Sequence, residues 1–493
     1  MADSILEAFL NNCEKSPDKL CLSFESQSLS YAALAKRAHR FGAALQEWGL
    51  EKGERVALFL ENCPDFLAAY LGIFMAGGVV VLVNTAYKQV ELRHILNDSG
   101  ARLCFTDRER LPELERLHSD LSSLEKIVML GATLDKFLLC ESNFAPHLPQ
   151  PEELAIIAYT SGTTGRSKGA MLLHRNLICN VESLRQAWGW TENDHLLLTL
   201  PLFHAHGLMV GAHGTLTSGA SAELKRHFNA TEVYDSLLTG QFSMFFGVPT
   251  MYTRLLSEAS QRSEKPAPLR LYVAGSAPLS AQTFEEFKEV FGQPILERYG
   301  MTETIMNMTN PYEGERRPGT VGLPFPGQEA RVVDVKTRQP LPPGMDGEIE
   351  VRGSHVFKGY WNRPQATAES FSVDGWFRTG DLGQMSADGY YTINGRAKEL
   401  IITGGYNVYP REVEELLQSC PGVAEVAVYG LPDAEMGEKV AAAIVRANLS
   451  LSEETVITFC KDNLAGYKKP RQVTFVEALP RNAMGKIQKH LLR

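Results

Sequence analysis

Up to about residue 390 the chain alternates helical patterns with short apolar runs, among them Arg55-Val-Ala-Leu-Phe-Leu, Val79-Val-Val-Leu-Val, Ala101-Arg-Leu-Cys-Phe-Thr and Leu269-Arg-Leu-Tyr-Val-Ala. Such runs are too short for helices and read as buried strands. The fold class this predicts is α/β, with stacked sheets and helices between them, and in such folds ligands gather where strands end in loops. The runs ending at Tyr159 and Ala274 each lead into a loop of small residues. Over about 319–394 the texture changes to short β-like runs divided by Pro and Gly, such as Gly347-Glu-Ile-Glu-Val-Arg-Gly and Gly389-Tyr-Tyr-Thr-Ile, which predicts a small β lobe. Beyond Gly395-Arg-Ala-Lys398 the pattern predicts a strand at 399–403, a helix at 410–419, strands at 423–429 and 439–445, and a helix near 453–463. This is a compact α+β module of roughly a hundred residues. The predicted boundaries are 1–397 for a large N-terminal domain that includes the β lobe, and 398–493 for a small C-terminal domain.

At 493 residues the chain exceeds what one hydrophobic core covers, and its 44% hydrophobic content is ample for more than one. A formal net charge of −9, with Lys and Arg dispersed, argues against a nucleic-acid partner. The cysteines, Cys13, Cys21, Cys63, Cys104, Cys140, Cys179, Cys420 and Cys460, form no Cys-x-x-Cys pair, which fits a reducing cytoplasm better than a disulfide framework. The N-terminal Met-Ala-Asp-Ser-Ile-Leu-Glu lacks the basic and apolar regions of a secretory signal, so the predicted compartment is cytoplasmic. Residues 66–83 carry no charge, which is the minimum length for a membrane span. Gly72 and the Gly77-Gly78 pair interrupt them, and the prediction is a buried helix, a break and a buried strand, with no integral membrane segment.

The densest chemistry lies in Thr160-Ser-Gly-Thr-Thr-Gly-Arg-Ser-Lys168-Gly-Ala, between the run 154–159 and a helix predicted to start near His174. Small residues leave backbone N–H groups accessible, five hydroxyls add donors, and Arg166 and Lys168 add positive charge, a combination that suits a polyphosphate. It is not a Walker A loop, because Lys168 follows Ser167 and precedes Gly169. Gly165-Arg-Ser-Lys-Gly169 has the spacing of a nucleophile elbow, yet several loop residues replace the single sharp turn an elbow needs. A solvated Gly/Ser/Thr loop is the remaining alternative. His204-Ala-His206, with His213 nearby, has a spacing that metals use, but no acid or thiol pattern accompanies it, and its apolar setting favours a gate or pocket wall.

Eight segments in order resemble the motif series of adenylate-forming acyl-CoA synthetases: the loop 160–168, Gly275-Ser-Ala-Pro-Leu-Ser280, Arg298-Tyr-Gly-Met-Thr-Glu303-Thr, Tyr360-Trp-Asn-Arg-Pro, Trp376-Phe-Arg-Thr-Gly-Asp381, Gly395-Arg396-Ala-Lys398-Glu-Leu-Ile, Gly404-Gly-Tyr-Asn-Val-Tyr-Pro410 and Pro480-Arg-Asn-Ala-Met-Gly485-Lys486. The likeness covers essentially the whole chain. Within the family it is closest to malonyl-CoA synthetases, on Asn84-Thr-Ala-Tyr87, Gly247-Val-Pro-Thr-Met-Tyr-Thr-Arg254 and Met306-Asn-Met-Thr-Asn-Pro-Tyr312.

The resemblance implies a ligase that adenylates a carboxylate with ATP and passes the acyl group to coenzyme A, with ATP, Mg²⁺ and coenzyme A as cofactors and co-substrates. It implies that Thr160, Ser161, Gly162, Thr163, Thr164, Gly165 and Lys168 cradle the phosphates, and that Glu303 holds Mg²⁺. Gly275, Ser276, Ala277, Pro278 and Tyr299 would receive adenine, in a nucleotide-binding set that includes Glu297, Arg298, Gly300, Met301 and Thr302. Asp381 would take the ribose, Arg396 the ribose or phosphate, and Lys486 the adenylation step, so that Lys486, Thr160 and Glu303 form the implied catalytic set. A rotation about Lys398 would exchange the faces of the small domain. Gly404, Gly405 and Tyr406 would then line the route for coenzyme A.

For the acid, Arg254 follows Gly-Val-Pro-Thr-Met-Tyr-Thr on the helix expected to line the acyl pocket, where it would clasp a second carboxylate. The alternative is that it points to solvent. Arg298 is a second candidate, with His206, Ser276 and Met306 beside it. This favours malonate or methylmalonate. A medium-chain or aryl acid within the same family and a luciferase-like adenylate-forming oxygenase are the other readings, and a nucleotide-binding protein without catalysis would not need Lys168, Glu303, Asp381, Arg396 and Lys486 together. Oligomeric state has no signature in the sequence.

Overall fold

The computed structural model describes residues 2–139, 144–160, 167–404, 406–433, 436–481 and 486–493. The chain divides into two compact units, a larger one of Met1–Pro318, Gly322–Glu329 and Arg352–Phe377, and a smaller one of Gly319–Val321, Ala330–Val351 and Arg378–Arg493. Most of the β lobe therefore clusters with the C-terminal module.

In the larger unit the described residues build a nine-stranded and a seven-stranded sheet. Leu296–Tyr299, Leu271–Ala274, Met244–Gly247, His195–Leu198, Ser221–Leu224 and Leu20–Phe24 run parallel in the first. Leu154–Thr160, Val79–Leu82, Arg55–Phe59, Leu103–Thr106 and Lys126–Met129 run parallel in the second. Val79–Leu82 and Met244–Gly247 are buried at every position, as parallel strands covered on both faces must be. Helices Ala230–Leu238, Pro249–Ser260 and Ala281–Phe291 cover part of the first sheet through an aromatic core of Tyr234, Tyr252, Tyr272, Phe287 and Phe291. The rings of Phe287 and Phe291 stack 4.2 Å apart.

The uncharged stretch 66–83 resolves as the sequence predicts, into helix Pro64–Met75, a break at Gly77 with φ 78, and strand Val79–Leu82. Among the described residues no helix is long and apolar enough to cross a membrane. One expectation needs correction. The loop after Thr160 does not lead straight to the helix His174–Trp188, because an antiparallel strand, Lys168–Leu173, intervenes.

In the smaller unit, Glu329–Val333, Gly347–Arg352, Phe377–Met385 and Tyr391–Arg396 form one sheet. Its interior holds the Glu350 carboxylate, 1% exposed, against the guanidinium groups of Arg331 and Arg338. The C-terminal module has the predicted α+β elements, strand Ile401–Thr403, helix Pro410–Gln418, strands Val423–Asp433 and Gly437–Arg446 and helix Glu453–Asn463, and two strands that the pattern did not predict, Tyr406–Val408 and Gln472–Val476. Val413, Leu417, Val428, Ile444 and Val456 form its core.

Helices Tyr31–Trp48 and Pro64–Met75 approach closely at Gly72, where an added Cβ would meet the Ala38 carbonyl oxygen at 2.7 Å and press on the Phe41 side chain. Backbone cannot yield as a side chain can. Gly72→Ala should therefore lower stability by about 1–3 kcal/mol, seen as a lower urea midpoint at unchanged slope.

Candidate active site

The phosphate-loop candidate stands on a hairpin. Leu154–Thr160 returns as Lys168–Leu173 with Thr160 opposite Lys168, and the Thr160 hydroxyl donates to the Lys168 carbonyl at 3.4 Å. Ser161, Gly162, Thr163, Thr164 and Gly165 lie outside the described residues. Helix Gln89–Ser99 braces both sides of the stem: the Tyr159 hydroxyl donates to Asp98 Oδ2 at 2.8 Å, and His94 Nε2 donates to the Ser167 carbonyl at 2.7 Å. The Lys168 ammonium lies over the Tyr360 ring, 4.9 Å from its centroid.

Tyr360 arrives on the two-residue strand Gly359–Tyr360, which pairs with the outer edge of Lys168–Leu173. Its hydroxyl donates to Glu303 Oε1 at 2.9 Å. Burial first, and the Glu303 charge second, push this phenol well above its ordinary range, so it stays a donor. Glu303 itself is 6% exposed.

The remaining candidates of the larger unit follow the carboxyl ends of parallel strands, where α/β sheets collect ligands. Gly275, Ser276, Ala277 and Pro278 follow Leu271–Ala274; Gly300, Met301, Thr302 and Glu303 follow Leu296–Tyr299, which itself contains Glu297, Arg298 and Tyr299. His206 comes after His195–Leu198, and Arg254 after Met244–Gly247 on helix Pro249–Ser260. The turn over 300–306 is closed by the Asn307 N–H, which donates to the Tyr299 carbonyl at 2.9 Å. Ser276 (φ 70) and Ile305 (φ 60) sit in the left-handed region, and strain of this kind in non-glycine residues concentrates at functional sites.

Arg298 is only 3% exposed, and its Nε and Nη2 meet no hydrogen-bond partner among the described residues. Gly275 makes its position tenable, since a Cβ there would fall 2.5 Å from Arg298 Cζ. Burial lowers the guanidinium to about 9, against the weaker pull of Tyr252 and Glu297. His206 is 1% exposed, and both its ring nitrogens are unpartnered among the described residues. Burial, then the Arg298 charge, hold it well below its usual value and therefore neutral. It starts a π-helix, His206–Ala212, and stacks on Phe246 with ring centroids 6.3 Å apart. A buried cation with unused donors beside a neutral imidazole has the chemistry to receive an anion.

Met306 is buried nearby in sequence, whereas Arg254 is exposed, on the face of its helix opposite the buried Tyr252, Leu255, Leu256 and Ala259. The two arginines that the sequence offered for one carboxylate thus differ sharply in setting. His213 Nε2 pairs with the Tyr70 hydroxyl at 2.8 Å, and among the described residues no three His, Cys, Asp or Glu side chains gather as a metal cage.

In the smaller unit, Asp381 and Arg396 oppose each other across adjacent strands, with Arg396 Nε 3.0 Å from Asp381 Oδ1. The approach to Asp381 is fixed by its own N–H, which donates to Thr379 Oγ1 at 3.0 Å, and by the Gly380 N–H, which donates to Glu348 Oε1 at 3.1 Å. Lys398 is exposed on the 3₁₀ turn Ala397–Glu399. Gly404 has φ 56, and its N–H donates to the Met436 carbonyl at 2.8 Å. Gly405 lies outside the described residues, while Tyr406 is 59% exposed and stacks on Tyr467 at 4.7 Å. Lys486 is exposed, directly before the bridge of Ile487 to Arg481.

Sequence reasoning assigned no role to Tyr360, His94 or Asp98. Tyr360 lay inside a motif and could have been found; His94 and Asp98, four apart on one helix, carried only the weak signal of two polar residues on one face.

The model for the AMP-binding enzyme family matches residues 9–361, and that for the AMP-binding enzyme C-terminal domain matches residues 412–486. ATP-bound MatB from Rhodopseudomonas palustris is 39% identical, with a TM-score of 0.94 over 100% of this chain and 98% of that one. Malonate–CoA ligase of Arabidopsis thaliana is 32% identical over 99% of this chain and 88% of its own length. Long-chain-fatty-acid–CoA ligase of Escherichia coli is 33% identical over 99% of this chain and 94% of its own. With a large N-terminal and a small C-terminal α/β domain and a match along nearly its whole length, the chain belongs to the AMP-binding enzyme family.

Proposed function

We propose that this enzyme is an acid–thiol ligase that joins malonate, or methylmalonate, to coenzyme A while ATP is cleaved to AMP and pyrophosphate. The reaction type is supported by the family and by relatives named as CoA ligases. The choice of a dicarboxylic acid rests on one observation, the buried Arg298 with two unpartnered nitrogens.

In the first half, a carboxylate oxygen attacks the α-phosphorus of ATP; an O–P bond forms, the bridge to the β-phosphorus breaks, and pyrophosphate leaves. Negative charge on the phosphates calls for prearranged donors and cations, and Thr160, Lys168 and the intervening loop residues supply them. Glu303 fits Mg²⁺ by its chemistry, being a single buried carboxylate, because this ion binds through one or two carboxylates plus phosphate oxygens and neutralises the triphosphate. We assign Lys486 to the reacting oxygens. Tyr299 and residues 275–278 suit adenine, and Asp381 with Arg396 suits the ribose. In the second half, the thiolate of coenzyme A attacks the acyl carbon, a C–S bond forms, and AMP departs with the electrons of the C–O bond. Lys398 is the assigned pivot between the halves, and Gly404, Gly405 and Tyr406 the assigned approach for coenzyme A.

The acid's second carboxylate would take the two N–H groups of Arg298, with His206, Ser276 and Met306 as neighbours. Arg254, being exposed, suits the rim better than the floor.

Pyrophosphate release across acetate, malonate, methylmalonate, succinate, hexanoate and coumarate should peak in kcat/KM at malonate or methylmalonate, and a peak at hexanoate or coumarate would move the enzyme to monocarboxylic acids. Arg298→Met should cut kcat/KM for malonate by about a hundredfold or more, the scale of one charge-assisted contact worth about 3 kcal/mol. Its Tm should hold or rise, since a buried unpaired charge is removed. Lys486→Ala should abolish adenylate formation and spare thioester formation from supplied malonyl-adenylate, as read by two separate half-reaction assays.

A further inference from the structure

We infer that Tyr360 is a positioning residue that ties the carboxylate of Glu303 to the ammonium of Lys168, so that the metal and triphosphate subsites are set as one unit. The inference rests on the assignments of Glu303 to Mg²⁺ and Lys168 to phosphate proposed above.

One side chain meets both groups with different parts of itself. The hydroxyl donates to Glu303 Oε1 at 2.9 Å, and the ring face carries Lys168 at 4.9 Å. A phenol has a single proton to donate, so it fixes one carboxylate oxygen and with it the rotation of the carboxylate plane. The ring's negative face attracts the ammonium without neutralising it, which leaves that charge to act on an anion.

Tyr360 is itself firmly held. Its N–H donates to Thr367 Oγ1 at 2.8 Å, and Thr367 Oγ1 donates to the Arg363 carbonyl at 3.0 Å. The Phe357 ring meets the Tyr360 ring edge-on at 4.9 Å. The same segment grips both partners through the backbone: the Phe357 N–H donates to the Glu303 carbonyl at 2.8 Å, and the Trp361 N–H to the Gly169 carbonyl at 2.7 Å, one residue from Lys168. Residues 357–361 thus act as a rigid spacer. A tyrosine needed only for packing would make the ring contacts and would not require the hydroxyl.

The test uses the full chain with Tyr360→Phe, Tyr360→Leu, Glu303→Gln and the double variant Glu303→Gln/Tyr360→Phe. Mn²⁺ binding in the presence of a non-hydrolysable ATP analogue is measured by electron paramagnetic resonance, alongside the Mg²⁺ dependence of pyrophosphate release and thermal melting. Tyr360→Phe should weaken Mn²⁺ binding and raise the Mg²⁺ requirement by about ten- to a hundredfold, as loss of a group orienting a metal ligand does. Its KM for ATP at saturating Mg²⁺ should stay near wild type, while Tyr360→Leu, which also removes the ring, should raise it. In the Glu303→Gln background, Tyr360→Phe should add no further loss, because the two act on one ligand.

Wild-type Mn²⁺ affinity in Tyr360→Phe, with Glu303→Gln impaired, overturns the coupling and leaves the metal assignment standing. The same holds if Tyr360→Phe melts earlier yet binds Mn²⁺ normally. If Glu303→Gln itself binds Mn²⁺ like wild type, the metal assignment fails and the coupling falls with it.

Discussion

Backbone pairing along the strand Lys168–Leu173 is the constraint on which the proposed nucleotide end of this enzyme depends. One edge of that strand pairs with Leu154–Thr160 and the other with Gly359–Tyr360. Three segments separated by up to two hundred residues are thereby fixed within the spacing of neighbouring strands, about 5 Å. Thr160, Lys168 and Tyr360 gain their places from this ladder before any side chain makes a contact. Glu303 is then drawn in by a main-chain bond from Phe357 and a side-chain bond from Tyr360. Backbone pairing sets the geometry of the stem, which is the kind of preorganisation that charge-stabilising catalysis requires.

The proposed acid end depends on a different force. A guanidinium 3% exposed with two idle donors is costly, and a protein keeps such a group where something outside the chain completes it. Gly275 shows that the arrangement is built, since any side chain at that position would displace the guanidinium. His206, held neutral beside it, avoids a second like charge in the same space.

Much of this was legible in the amino-acid order. The runs at Arg55, Val79, Leu103 and Leu271 became strands because each is a short, nearly uncharged segment flanked by helical periodicity, and 66–83 broke where its glycines allow. The motif series placed nearly every candidate near a strand end. The strand Lys168–Leu173 escaped notice because it opens with Lys-Gly and merges with the loop before it; Gly169 is there because a Cβ would meet Ile157 at 2.7 Å, a contact invisible in one dimension. Arg254 was readable in part: Tyr252, Leu255, Leu256 and Ala259 follow the 3.6-residue repeat and place it on the other face. The burial of Arg298 was not, since it depends on a glycine from a neighbouring strand's loop. Nor does composition reveal that the β lobe clusters with the C-terminal module, because compactness depends on long-range packing.

The π-helical turn His206–Ala212 carries one more residue than an α-helix would use for the same rise. Removing a single residue there would restore the ordinary winding with nearly the same total rotation, so the helix His213–Ser218 would keep its phase relative to His206. The π-turn is thus a place where the chain can lose one residue without turning the segments on either side out of register.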